Sequence, residues 1–171
     1  MPHDKQVPVL HPVRTSEPSL QLLLDSDFDR RREQKDFNPA NFTFDIPNTP
    51  DITQITKILP SFVSIPNLFL VSQPKTVYIA LDGSAGGNLV NAADGNAYEI
   101  VCPLDITGTS AGNNAIFRPS DLFLWDIDYH TPRDFSRITV RLLDDNLNQL
   151  TLQQGTNVTI ILKCFHRALK R

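Results

Sequence analysis

Asp126-x-Asp128-x-His130 places two carboxylates and an imidazole at alternate positions. On a strand, alternate residues project from one face, and two oxygen donors with one nitrogen suit a divalent cation. The same spacing fits a solvated outer face ending at Thr131-Pro132, with Phe123, Trp125, Ile127 and Tyr129 on the buried side. That plainer reading is preferred, so no metal or other cofactor is assigned. Asp25-x-Asp27-x-Asp29 invites a calcium reading, but lacks the glycine and distant glutamate of an EF-hand loop. Nucleophilic catalysis needs a nucleophile, a base and an orienting group. Of the four histidines, His3 and His11 lie near the N-terminus and His166 near a basic tail, which leaves His130 alone inside a folded body. There is no Gly-x-Ser-x-Gly elbow and no glycine-rich phosphate loop. The chain therefore reads as a protein that is not an enzyme. Cys102 and Cys164 have no metal or redox spacing and sit inside apolar alternations. They read as buried thiols in a reducing compartment, with a disulfide left open because strands can bring them together. Asn41-Phe42-Thr43 and Asn157-Val158-Thr159 fit the glycosylation sequon, and their places at strand starts make chance the better explanation.

These residues need a scaffold, and composition describes it. The 171 residues suit one domain, able to bury roughly two-thirds of its unfolded surface. A net charge of -3 argues against bulk, sequence-independent DNA binding. No run approaches the roughly 18 apolar residues of a membrane helix, and the first residues lack the layout of a secretory signal. Thirteen prolines punctuate the chain, which suits strands better than helices.

Period-two alternation predicts strands at 42–46, 77–81, 98–104, 123–129, 138–142 and 158–164, and the apolar run at 20–24 adds another. In the strand at 98–104, Tyr98, Ile100, Cys102 and Leu104 share one face. Ile52, Ile55, Ile58 and Leu59 have helical spacing, but β-branched Thr53 and Thr56 and the following Pro60 favour extended backbone up to Ile65. That makes about eight strands. Asp144 to Gln149 is a turn in which Asp or Asn can take the left-handed conformation. The glycine-rich stretches 82–96 and 107–114 read as surface loops. Residues 1–18 form an extended arm with prolines at 2, 8, 12 and 18. Residues 19–166 form the domain, and 167–171 a basic tail. Lys163 to Arg171 holds four Lys/Arg and no acid. Such an end solubilises the chain, or faces inward to packaged DNA, an anionic membrane leaflet or an acidic partner.

Three segments carry a resemblance: the Asp/Arg cluster Asp25 to Arg32, Asn38-Pro39-Ala40-Asn41-Phe42 launching a strand, and Ile65-Pro66-Asn67 ending one. In this order they resemble the single-jelly-roll penton or minor capsid proteins of virophages, Polinton-like viruses and nucleocytoplasmic large DNA viruses. FSRITVRLLDDNLNQLTLQQGTNVTIILKC is similar to the C-terminal part of that family, with Asn146 or Asn148 where glycine is usual. The resemblance touches Leu20–Asn67 and Phe135–Phe165.

It implies an all-β single jelly-roll β-sandwich of about eight antiparallel strands with an extended N-terminal arm. It further implies a virion capsid protein, most simply a penton forming a homopentamer at icosahedral vertices and contacting major capsid protein trimers. In that setting Arg30, Arg31 and Arg32 make local ion pairs or inter-subunit contacts. Pro8 and Pro12 in the arm and Arg171 in the tail are further interface residues, the tail meeting an inner membrane or packaged DNA. The alternatives are a minor cement capsid protein and a carbohydrate-binding host-attachment sandwich. The latter needs an exposed aromatic platform, for which Trp125 is the candidate.

Overall fold

The computed structural model describes residues 19–46, 55–71, 73–82, 88–91, 97–118, 127–133 and 137–166. Among these the regular structure is all-β apart from a single 3-10 turn at 26–28. The strands are β1 (Ser19–Asp25), β2 (Asn41–Asp45), β3 (Ile55–Pro66), β4 (Thr76–Asp82) and β5 (Asn88–Asn91). They continue as β6 (Ala97–Asp105), β7 (Asn114–Phe117), β8 (Ile127–Arg133), β9 (Arg137–Leu143) and β10 (Thr159–His166). Ten strands thus stand where about eight were expected. The additions, β5 and β7, lie in or beside the two stretches read as loops. Strand β8 also runs through Thr131-Pro132 instead of ending there.

All pairings are antiparallel, and all but two of them are nested. β1 pairs β10, β2 pairs β9, β3 pairs β7 and β8, and β4 pairs β6. This is the pairing of one long hairpin. Two lateral joins, β10 to β3 and β9 to β4, convert it into sheets. One sheet has the order β1-β10-β3-β7, with β8 on the other half of the β3 edge; the second has the order β2-β9-β4-β6-β5.

Period two decides what lies between them. Leu22, Leu24, Ile58, Val63, Ile160 and Leu162 from the first sheet meet Phe42, Val77, Ile79, Ile138, Val140 and Leu142 from the second in one buried cluster. At roughly 25 cal/mol per Å2 of apolar surface removed from water, this interior is the main stabilising term. Pro60 does not end β3. It sits inward opposite Leu162, where the β3–β10 register slips past Ser61, and such irregularities are where a strand accommodates proline. A second slip, between Ile79 and Ala80, separates residues expected to share a face. Cys102 and Leu104 join the main core, whereas Tyr98 and Ile100 bury against Ala80 and Leu143 on the other side of the sheet. A bulge adds one residue to one strand and inverts the parity beyond it.

Candidate functional site

The segment between β1 and β2 holds the charged cluster. Asp25 ends β1, and its Oδ1 accepts the amide of Asp27 at 2.9 Å, which starts the 3-10 turn. That turn breaks the alternation, so the three carboxylates diverge. The Asp25 Oδ2 accepts from Asn157 and Thr159 at 3.2 Å each. Asp27 pairs with Arg32 at 2.8 Å, and Asp29 with Arg31 at 2.6 Å. They form no calcium cradle, and among the described residues no cluster of three His, Cys, Asp or Glu could hold a metal ion.

Asp29 is only 5% exposed. Its carboxylate receives the Arg31 guanidinium through both Nε and Nη2, the Arg31 amide at 2.7 Å and the Thr43 amide at 2.7 Å. The same Nη2 donates to the Asn41 carbonyl at 3.2 Å. Thr43 and Asn41 lie on β2, an outermost strand of its sheet. An uncovered edge offers amides and carbonyls to any passing strand. The Asp29–Arg31 pair occupies one donor and one acceptor of that edge. Beside it, Asp45 pairs with Arg137 at 2.8 Å and with Arg30 at 3.6 Å. Asp29, Arg30, Arg31, Thr43, Asp45 and Arg137 line a hollow of about 310 Å3. Next to them Phe28 is 61% exposed and meets Phe44 edge to face at 6.3 Å.

At the same end of the sandwich four connections are laced together. Asn38 donates Nδ2 to the Leu150 carbonyl at 2.7 Å, and its Oδ1 accepts the amides of Ala40 and Leu152. This ties the segment before β2 to the β9–β10 connection. Asn67, just past β3, donates to the Thr109 carbonyl at 2.6 Å and exchanges backbone bonds with residues 112 and 113. Asp145 accepts the amides of Lys75 and Thr76 at 3.0 and 2.9 Å. In the turn itself Asp144 accepts from the amides of Asn146 and Asn148, and Leu147, not an Asn, takes the left-handed conformation at φ 62°. The β3–β4 connection exposes Leu70 by 62% and Val71 by 84%. Asn38, Asn67 and Asp145 were not singled out from sequence as fasteners, because the partners lie 42 to 114 residues away.

The remaining sequence candidates fall as follows. Asp128 and His130 lie on β8, with Asp128 the register partner of Lys57. Asp126 and Trp125 lie outside the described residues, as do Pro8, Pro12 and Arg171. Cys102 and Cys164 are both free and buried, and burial pushes each thiol up to about 12. Asn157 commits its side chain to Ser26 and Asp25.

The carboxylates make acid the stress to which this end should respond. Burial alone would raise the pKa of Asp29. The Arg31 side chain and the amides of Arg31 and Thr43 more than offset that, holding it below the ordinary 3.8. Arg137 lowers Asp45, while backbone donors lower Asp105 and Asp145. A group depressed in the folded state stabilises above its unfolded pKa, and the contribution disappears as pH falls through the folded value. Melting temperature should therefore be level from about pH 7 to 5 and drop below about pH 4. Asp29→Asn should reduce that drop; an unchanged acid slope would contradict the assignment.

Compared with protein-family models and with curated proteins, the chain matches none.

Proposed function

We propose that this chain is a structural virion protein, a single jelly roll that forms a homopentameric ring at the vertices of an icosahedral capsid and contacts neighbouring capsomers. Nested pairing joined laterally into two sheets is what winding a long hairpin into a jelly roll generates, and that architecture occurs in viral capsid domains, lectins and cupins. Fold alone does not choose among these. The choice is carried by what the three resemblance segments do. Asp29 and Arg31 cover the β2 edge, Asn38 fastens the segment before β2 to the β9–β10 connection, and Asn67 fastens the end of β3 to residues 109–113. Most of their polar groups are committed to ties within the chain, which suits a building block. The five-fold count rests on the resemblance.

A closed ring repeats one head-to-tail interface, so each subunit needs two different patches. Strand order supplies two margins. At the β1/β2 margin stand Phe28, Arg30 and Arg137; at the β7 margin Ile116 is 54% exposed. We assign these as the mating surfaces, leaving Leu70 and Val71 for a different shell protein such as the major capsid protein. Phe28→Asp gives up the edge-to-face contact with Phe44 and should cost the monomer about 0.5 to 1.5 kcal/mol, whereas Ile116→Asp, at an exposed position, should move it by about 0.5 kcal/mol. Each should nevertheless shift the oligomer to monomer in light scattering. Oligomers that survive both substitutions would remove these margins from the interface.

A further inference from the structure

The edge strands are not treated alike. On β2 the Asp29–Arg31 pair already takes the Thr43 amide and the Asn41 carbonyl. Among the described residues β1 carries no such cover. Its seven residues, Ser-Leu-Gln-Leu-Leu-Leu-Asp, include no lysine and no proline, and its register against β10 has no slip. Those are the devices that blunt an edge. The ladders fix which main-chain groups are spare. The Ser26 amide continues the β1–β10 ladder to the Val158 carbonyl at 3.0 Å, so Leu24 and Leu22 bond Ile160 and Leu162. Gln21, Leu23 and Asp25 therefore turn their amides and carbonyls away from β10. On the far margin of the same sheet the Asn67 amide reaches the Asn113 carbonyl at 2.9 Å, so Ile65 and Val63 bond Ala115 and Phe117. Asn114 and Ile116 therefore turn theirs away from β3. No backbone partner for these spare groups lies among the described residues. The side chains follow the same parity. Leu22, Leu24 and Ala115 lie in the core, whereas Leu23 is 45% and Ile116 54% exposed on the outer face.

We propose that β1 of one copy adds to the β7 edge of the next, so that the first sheet runs unbroken from subunit to subunit. The sheet order permits it. β1-β10-β3-β7 is an even number of strands, each antiparallel to the last, so β7 runs opposite to β1. Rotation about an axis along the strands preserves their direction, and in a head-to-tail ring β1 therefore meets the next β7 antiparallel in every copy. An odd count would bring the two edges together parallel. Setting Leu23 opposite Ile116 also sets Asp25 opposite Asn114, and all four residues aim spare amides and carbonyls at the junction. The same register puts the two exposed apolar side chains next to each other on the outer face, with Cβ atoms about 5 Å apart. Closure is feasible as well. Five copies place about twenty strands round the axis, and closed sheets of roughly 16 to 22 strands exist. The inference rests on the ring reading and adds what joins it: main-chain pairing between the first sheets, with the covered β2 edge left out.

Amide hydrogen exchange on the full chain tests it, comparing the oligomer with monomer obtained by dilution or as Phe28→Asp, which keeps both edges. The Leu23 and Ile116 amides should each exchange at least about tenfold more slowly in the oligomer. Leu23→Pro removes an amide that bonds nothing within one copy, and proline is tolerated on an edge strand whose amide faces solvent. Its monomer should keep the β circular dichroism of wild type. Its oligomer should need at least about tenfold more protein to form than that of Leu23→Ala, which loses the side chain but keeps the amide. If Leu23→Pro does not fold, the exchange comparison decides alone. A discrete oligomer in which both amides exchange as in the monomer leaves the ring standing and overturns the edge pairing. Slow exchange at Leu23 without Ile116 would mean that β1 pairs with β1 of a second copy about a two-fold axis, and overturns it too. A chain that is monomeric at every concentration overturns the ring reading and the pairing with it.

Discussion

Asn38→Ala should lower unfolding free energy by about 3 kcal/mol. Asn38 makes three hydrogen bonds with its side chain, two of them to residues more than 110 positions away. The Leu150 carbonyl keeps Gln149 Nε2 as a partner when Asn38 is truncated. The Ala40 and Leu152 amides lose theirs, and both residues are almost fully buried. A buried amide left without an acceptor costs about 1 to 3 kcal/mol, more than the net worth of the bond itself. Asn38→Asp keeps both accepting bonds and should recover at least half of the loss. Urea titration of the three proteins measures this, with m-values compared to confirm a common two-state transition. A loss below about 0.5 kcal/mol for Asn38→Ala would mean that the loop end is not fastened as described.

Asp29→Ala should cost about as much, for a different reason. Removing one member of a fully buried ion pair costs about 3 to 5 kcal/mol. The Arg31 side chain is 43% exposed, so water can take over part of its solvation and about 2 to 3 kcal/mol is expected. The Thr43 amide on the β2 edge also loses its acceptor. The second consequence is therefore aggregation: an uncovered edge strand is a pairing template. Arg31→Lys should lie between wild type and Asp29→Ala, because an ammonium cannot reproduce the forked contact made by Nε and Nη2. Turbidity during slow heating, recorded beside urea titration, separates the edge effect from simple instability.

The strands were legible where they are long and alternate. Phe42, Val77, Ile79, Ile138, Val140 and Leu142 announced their burial by period two alone. β5 and β7 were not legible, because each has four residues set among glycines and asparagines and is held by pairing with β6 or β3. Pattern also failed at Tyr98 and Ile100, since a register slip is a relation between two strands and leaves no mark on either one. The Asp/Arg cluster was visible as a cluster. Which acid takes which base was not, because the turn at 26–28 ends the alternation after Asp25. Asn38 and Asn67 stood inside segments noticed for other reasons, Asn-Pro and Pro-Asn, and their work is done on partners far along the chain.

The chemistry of the described surface is consistent with assembly: an edge that is covered, a loop end that is fastened, and exposed Phe28, Ile116, Leu70 and Val71 at separate places on the sandwich. A standard interface buries on the order of 1,600 Å2, so each of these side chains would be one anchor within a larger contact.

The mass of the purified full chain in solution, by native mass spectrometry and light scattering across concentration and salt, tests the ring most directly. A discrete species at five times the 19.2 kDa chain mass is the predicted result. A chain that stays at 19.2 kDa under every condition would contradict a self-sufficient ring.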